Sequence, residues 1–276
     1  MTFSPFDSPI YATHYGDPEV RALFTDSAEV RAMLLVEGTL AKVQGELGLI
    51  PLDSALYIHR ASMEVQVDPA GLAAGMAQSG TPVPAMVAAF GKAMEAPDHA
   101  KYIHYAASSQ DVLDTALVLR LRQYLRLLDA RLEALTKSSQ FSDLSPLCQE
   151  LNAVGNKLLV VRFGDAGTVE SALAEALKLA TPTDTTISAR EAIVELASVV
   201  SHFSASLAEI AQGFPATINS EVLATMAVFT KNQLGQMKPA QAQGNVALAL
   251  EKLALAQICI AGSVALTHAQ TLADQA

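Results

Sequence analysis

The sequence predicts an all-α protein built as a bundle of long helices, and three observations carry that expectation. Ala and Leu dominate a chain of 276 residues that is 51% hydrophobic and 5% aromatic with no Trp, and the β-branched alternation of a half-buried strand is scarce. After Lys101, apolar residues recur at Leu113, Leu117, Leu121, Tyr124, Leu125, Leu128, Leu132 and Leu135. Those steps, mostly of three and four, place one stripe on one helical face. A second seam, Ile193, Leu196, Val200, Phe203, Leu207 and Ile210, alternates the same steps, as helices do when they pack side by side. The chain is long enough to bury a substantial core in one or two domains.

Residues 1–20 are rich in Pro, Tyr and Asp and read as irregular. A helix is expected over 27–47, where Thr25, Asp26 or Ser27 can cap the start. Val30, Met33, Leu34, Glu37, Leu40, Ala41 and Val43 follow helical spacing there, and Gly48 and Pro51 end it. Shorter helices follow near 53–63, 69–79 and 83–95, punctuated by Pro and Gly. The polar loop 106–111 opens the long helix that ends near Leu135. Ser108 or Ser109 can cap it, and Asp111 in its first turn suits the dipole. About 25 helical residues span roughly 37 Å, long enough for a scaffold.

Beyond a break at 140–146, a helix is expected over 145–159, then a short extended piece and turn through 159–168. Helices over 169–179, 190–212, 219–237 and 245–276 complete the chain, with breaks at 181–188, 213–215 and 238–244. The last helix is apolar on more than one face, through Val246, Leu248, Leu250, Leu253, Leu255, Ile258, Ile260, Val264 and Leu266. Such a helix belongs in the middle of a bundle. One chain supplies few neighbours for so many long helices, so a homo-oligomer is expected to supply the rest.

The formal net charge of −10 argues against a nucleic-acid partner, since phosphate binding needs a basic surface. Any anionic ligand must be held by local cations and helix N-termini against that field. Cys148 and Cys259, both in apolar company, read as reduced thiols of a cytoplasmic protein, and no metal-ligand spacing exists. The N-terminus lacks a basic then apolar leader pattern, so a signal peptide is not expected. The apolar stretch 246–272 carries Glu251, Lys252, Gln257 and His268 and reads as a buried helix, not a membrane span.

For chemistry, the loop before the long helix offers hydroxyls and unpaired backbone N–H groups, a place to hold a carboxylate. His104 lies four residues before Ser108, so both could reach one ligand; a structural histidine is the alternative. Arg162 and Arg190 each lie near a break in apolar sequence. Either could clamp a carboxylate in bidentate fashion, or pair with Asp165 or Glu191. No phosphate loop, zinc-protease helix or nucleophile elbow is present, and Gly164 to Thr168 does not make a dinucleotide fingerprint.

Two runs carry a resemblance: LFTDSAEVRAMLLVEGTLAKVQGELGLIP at 23–51 and HYAASSQDVLDTALVLRLRQ at 104–123. With weaker matches at 158–168, 190–200 and 218–227, they make the chain similar to the fumarase/aspartase superfamily, nearest its carboxymuconate-lactonizing branch. The resemblance covers about two-thirds of the chain and implies a small N-terminal helical domain, 1–106, and a long-helix domain, 107–276, with no third domain after it. It implies a homotetramer that pools its helices into one core, with each active site shared between subunits. It implies that His104, Ser108, Ser109 and Gln110 bind a small tricarboxylate, and that no cofactor or metal is used. The implied reaction is lactonization. Since QDxxDTA at 110–116 also suits adenylosuccinate-type members, a superfamily lyase is the alternative.

The sequence departs from the family in three places. The family's catalytic serine loop is expected between Gln212 and Ile218, where only Gly213 to Thr217 stand, so the catalytic residue is unknown. A Thr/Gln-rich segment is missing after Gln140, and a charged connection before Asn245. All three gaps fall between helices. The expectation is therefore that loop segments are missing from the sequence; the alternative is a homologue that kept the bundle and lost its chemistry.

Overall fold

The structure, a computed structural model, describes residues 4–161, 163, 167–182, 189–237 and 245–275. It is all-α. In chain order the helices are α1 (Ala12–Tyr15), α2 (Pro18–Leu23), α3 (Asp26–Glu46), α4 (Leu52–Glu64), α5 (Ala73–Ser79), α6 (Val83–Ala93) and α7 (Pro97–Ala100). They continue as α8 (Ser109–Leu135), α9 (Ser145–Leu158), α10 (Thr168–Leu177), α11 (Ala189–Ala211), α12 (Ile218–Met237) and α13 (Asn245–Gln275). Single 3-10 turns occupy Pro69–Leu72 and Ser139–Leu144. The extended piece expected after α9 amounts, among the described residues, to one parallel bridge between Val160 and Ala180.

The chain gathers into two compact units that interleave in sequence. One comprises Thr25–Leu121 and Leu159–Thr185; the other comprises Met1–Phe24, Arg122–Leu158 and Thr186–Ala276. The reason for the interleaving is packing: α10 lies on α3, more than a hundred residues earlier in the chain.

The first unit is organised by the α3–α4 hairpin. Thr25 caps α3, its hydroxyl accepting from Ala28 N at 3.2 Å. Gly48, at φ +74°, makes the left-handed turn that ends the helix. Gly38 and Gly45, seven residues apart, bring α4 close. A Cβ on Gly38 would lie 2.5 Å from Ser62 Cβ, and one on Gly45 would lie 2.3 Å from Ala55 Cβ. The core collects Met33, Leu40, Ile58, Met86 and Phe90 with Leu173 and Leu177 of α10. From α8 it takes Val112, Ala116 and Leu119, while Leu113 and Leu117 stay half-buried. At Val112 and Ala116 the buried face thus sits one residue before the expected Leu113 and Leu117, because small and β-branched side chains fit against this core there. From Leu121 to Leu135 the expected stripe is the buried one.

In the second unit, the irregular start expected for 1–20 is replaced in part by α1 and α2. Asp17 caps α2 by accepting from Glu19 N and Val20 N, both at 3.1 Å, and Pro18 opens the helix with its φ already suited. Helix α13 is the centre: every residue from 258 to 266 is buried, within this one chain, against α11 and α12. Gly262 permits that approach, since a Cβ there would meet Val200 Cγ1 at 2.3 Å. Two helices, α11 and α13, are long and apolar enough to cross a membrane by composition, and most of each apolar window is buried inside the protein. That burial accounts for the apolarity as core packing.

Candidate active site

The loop before α8 is tied to α3 by two buried polar residues. Glu37 and Gln44 stand seven apart on α3, in line with its apolar row, and both are buried. Gln44 Nε2 donates to the carbonyl of Tyr105 at 2.7 Å. Glu37 takes two donors from one residue: the backbone N of His104 reaches Oε2 at 3.1 Å, and His104 Nδ1 lies 2.7 Å from Oε1. The Glu37 side chain is wholly buried, so these bonds are what offsets the cost of taking a carboxylate out of water.

The backbone conformation is unusual at the same place. His104 has φ +61° and Ala106 has φ +50°, left-handed values that a side chain disfavours. Non-glycine residues held this way cost on the order of 1–3 kcal/mol each and persist where the surroundings enforce them. Here the enforcing contacts are those from Glu37 and Gln44. The hydrogen bond that His104 donates to Glu37 raises the His104 pKa above the ordinary histidine value; partial burial opposes this, and the charges of Glu37 and Asp111 add to it.

Four residues on, Ser108 and Asp111 close a reciprocal cap. Ser108 Oγ accepts from Asp111 N at 3.1 Å, and Asp111 Oδ2 accepts from Ser108 N at 2.9 Å. Gln110 Nε2 donates to Asp114 Oδ1 at 2.7 Å. The hydroxyl of Ser109 has no partner among the described residues. Of the four residues expected to bind substrate, two are therefore engaged in building the helix start. Ser109 Oγ and His104 Nε2 are the groups with no partner among the described residues.

The other expected positions lie elsewhere. Arg162 falls outside the described residues. Arg190, at the start of α11, reaches Glu251 Oε1 of α13 at 2.5 Å, so a carboxylate it meets belongs to this chain. Between Gln212 and Ile218 the chain turns tightly, with Gly213 N on Ile210 O at 3.0 Å and Phe214 N on Ala211 O at 3.1 Å. Phe214 stacks on Phe141, ring centroids 5.8 Å apart. The connections that follow Gln140 and Gln212 thus meet each other. The connection before Asn245 lies outside the described residues. No group of three or more His, Cys, Asp or Glu able to hold a metal ion occurs among the described residues.

Glu37 and Gln44 were not singled out from the sequence as site residues. A signal existed: two polar side chains, one a carboxylate, inside the apolar row of a buried helix call for a partner elsewhere.

Comparison with known proteins gives a consistent set of relatives. The chain is 28% identical over 258 residues to a 3-carboxy-cis,cis-muconate cycloisomerase of Pseudomonas aeruginosa, an alignment covering 77% of this chain and 56% of that protein. It is 27% identical over 305 residues to an N-acetyl-S-(2-succino)cysteine lyase of Enterococcus italicus, covering 95% of this chain and 66% of that one. The crystal structure of the 3-carboxy-cis,cis-muconate lactonizing enzyme of Pseudomonas putida superposes with a TM-score of 0.87 at 26% identity, over 97% of this chain and 76% of that one. No family model matches. The chain spans little more than half the length of the cycloisomerase it matches. Since 95% of 276 residues is about 262, the 305-position alignment includes about 40 positions with no counterpart here.

Proposed function

We propose that this chain is a member of the fumarase/aspartase superfamily and, within it, a 3-carboxy-cis,cis-muconate cycloisomerase of protocatechuate breakdown. The reaction closes a lactone: a carboxylate oxygen of the substrate adds to the conjugated diene, a C–O bond forms, and a proton is delivered to the carbon α to another carboxylate. Negative charge builds on that carboxylate in the transition state, so the requirement is concentrated hydrogen-bond donors around it and a proton donor placed at carbon. The observation that carries the reading is the start of α8, where His104 and Ser109 offer polar atoms with no partner among the described residues, on a backbone held by Glu37 and Gln44. Ser108 and Gln110 belong to the same segment and shape it. The proton donor is unassigned. In this reading the enzyme is cytoplasmic, works without metal or cofactor, and shares its sites among the subunits of a homotetramer.

A second reading has its own support. Alignments to the 2-succinocysteine lyases cover 95% of this chain, against 77% for the cycloisomerase of Pseudomonas aeruginosa. That favours elimination from a succinyl adduct, releasing fumarate. Both reactions can be followed optically. Adding protein to 3-carboxymuconate should abolish the diene absorbance if the first reading holds. Fumarate release from a succinyl thioether, without loss of that diene, supports the second. Turnover of neither marks a homologue that kept the bundle and lost its chemistry.

A further inference from the structure

We infer that Glu37 is a positioning residue of this carboxylate site, holding His104 at its backbone N–H and at ring Nδ1 so that Nε2, as an N–H donor, meets an anionic ligand. The inference rests on the reading of His104 as a substrate-binding group.

The chemistry of the two partners dictates the arrangement. An ionised carboxylate only accepts, so the ring nitrogen 2.7 Å from Glu37 Oε1 carries the proton. A neutral ring would then present a lone pair at Nε2, which repels a substrate carboxylate. Only the imidazolium presents Nε2–H. Glu37 therefore serves twice: its geometry fixes the ring, and its charge favours the one form of the ring that can grip an anion. Asp111, the other charged group facing the ring electrostatically, acts in the same direction.

The burial of Glu37 supports a dedicated role. Both of its oxygens receive from His104, and it has no other partner among the described residues. A carboxylate placed in a core only to pin a loop is a costly choice, because Gln44, seven residues on, pins the next residue with a neutral amide. The same two contacts hold His104 in its left-handed conformation, so ring and backbone move together or not at all.

The test uses the whole protein with ring-nitrogen-labelled histidine, titrated by NMR with and without tricarballylate, a non-reacting tricarboxylate. In the native protein Nδ1 should stay protonated throughout, and tricarballylate should move the Nε2 resonance. Glu37→Gln should lower the His104 titration midpoint and populate the Nε2–H neutral tautomer, since an amide can donate to Nδ1. It should also raise KM for 3-carboxymuconate several-fold with a smaller effect on kcat, because the Nε2–H that remains is uncharged and grips an anion less strongly. Glu37→Asp, which keeps the charge but is shorter by one methylene, should restore part of the midpoint. Gln44→Ala should loosen the loop yet leave the titration in place. An unchanged titration in Glu37→Gln, or an equal shift in Gln44→Ala, overturns the inference. If the native protein turns over no substrate while the tautomer result holds, the enzymatic reading fails and the positioning of His104 stands.

Discussion

Asp17 and Ser263, 246 residues apart in the chain, meet where the serine hydroxyl donates to Asp17 Oδ2 at 2.6 Å. Arg131 of α8 donates to the same carboxylate and to the same serine, and reaches Glu19 at 2.7 Å. The N-terminal segment is thereby fastened to α8 and α13. Asp17 also caps α2, so one buried carboxylate serves three elements.

Burial pushes the Asp17 pKa up, but hydrogen bonds from Arg131, Ser263 and Val20 N outweigh it and leave the group below the ordinary aspartate value. A lowered folded pKa means that the contribution is complete above the unfolded value, near 3.8, and is lost as pH falls through the folded one. Asp17→Asn should cost about 3 kcal/mol at neutral pH, the penalty for breaking a buried pair. It should also flatten the acid limb of stability below about pH 4. Urea unfolding at pH 7 and pH 3.5 measures both.

Tyr124 is fully buried and donates to the backbone carbonyl of Cys259 at 3.1 Å, joining α8 to α13. Tyr124→Phe keeps the ring packing and removes the donor, so a loss of about 1 kcal/mol is expected. Tyr124→Ala removes the ring as well and should lose about 3–5 kcal/mol. Chemical denaturation of the two variants separates the hydroxyl from the ring.

Helix propensity alone would favour Gly45→Ala by about 1 kcal/mol. The structure reverses that sign. The new Cβ would stand 2.3 Å from the Ala55 Cβ, a methyl group fixed to α4 with no rotamer to retreat into. Net destabilisation of about 1–2 kcal/mol is expected from overpacking. A higher melting temperature for this variant would show that α3 and α4 stand further apart.

His268 sits between two acceptors as placed, with Nε2 2.9 Å from the His14 carbonyl and Nδ1 2.7 Å from Asn219 Oδ1. Burial lowers its pKa, partly opposed by the bond to His14, so the ring is neutral. A neutral ring donating from Nε2 must accept at Nδ1, which assigns the Asn219 amide with its NH2 group toward the ring. For a histidine with a lowered folded pKa, the unfolded state binds the proton more readily. Stability should therefore decline as pH falls below about 6.5. His268→Gln should remove that decline, as read by melting temperature from pH 5 to 8. His104 has the opposite sign: its contribution is present below about 6.5 and is lost as pH rises through its raised value.

Ser109→Ala tests the binding segment directly. Its hydroxyl has no partner among the described residues, so folding stability should change little, while KM for the tricarboxylate should rise by the equivalent of about 1–3 kcal/mol. Steady-state kinetics at fixed pH measures it, and an unchanged KM places this loop away from substrate.

The sequence by itself determined the helices, because hydrophobic periodicity and end signals such as Thr25, Gly48 and Pro51 are local properties. Helix α13 read as a central rod from its composition, and residues 258–266 are buried at every position. The polar segment at the start of α8 was legible as well. What the sequence did not contain is who meets whom. Glu37 looked like one member of a helical row, and only the approach of a loop 67 residues later made it the partner of His104. Asp17 and Pro18 announced a short helix, but the burial of that carboxylate depends on Arg131 and Ser263. The register of α8 in its first half, with Val112 and Ala116 inward, followed the shape of the core and not the largest leucines. Tertiary structure decided these points because long-range contacts depend on complementary shape and on paired charges, and neither leaves a periodic mark along the chain.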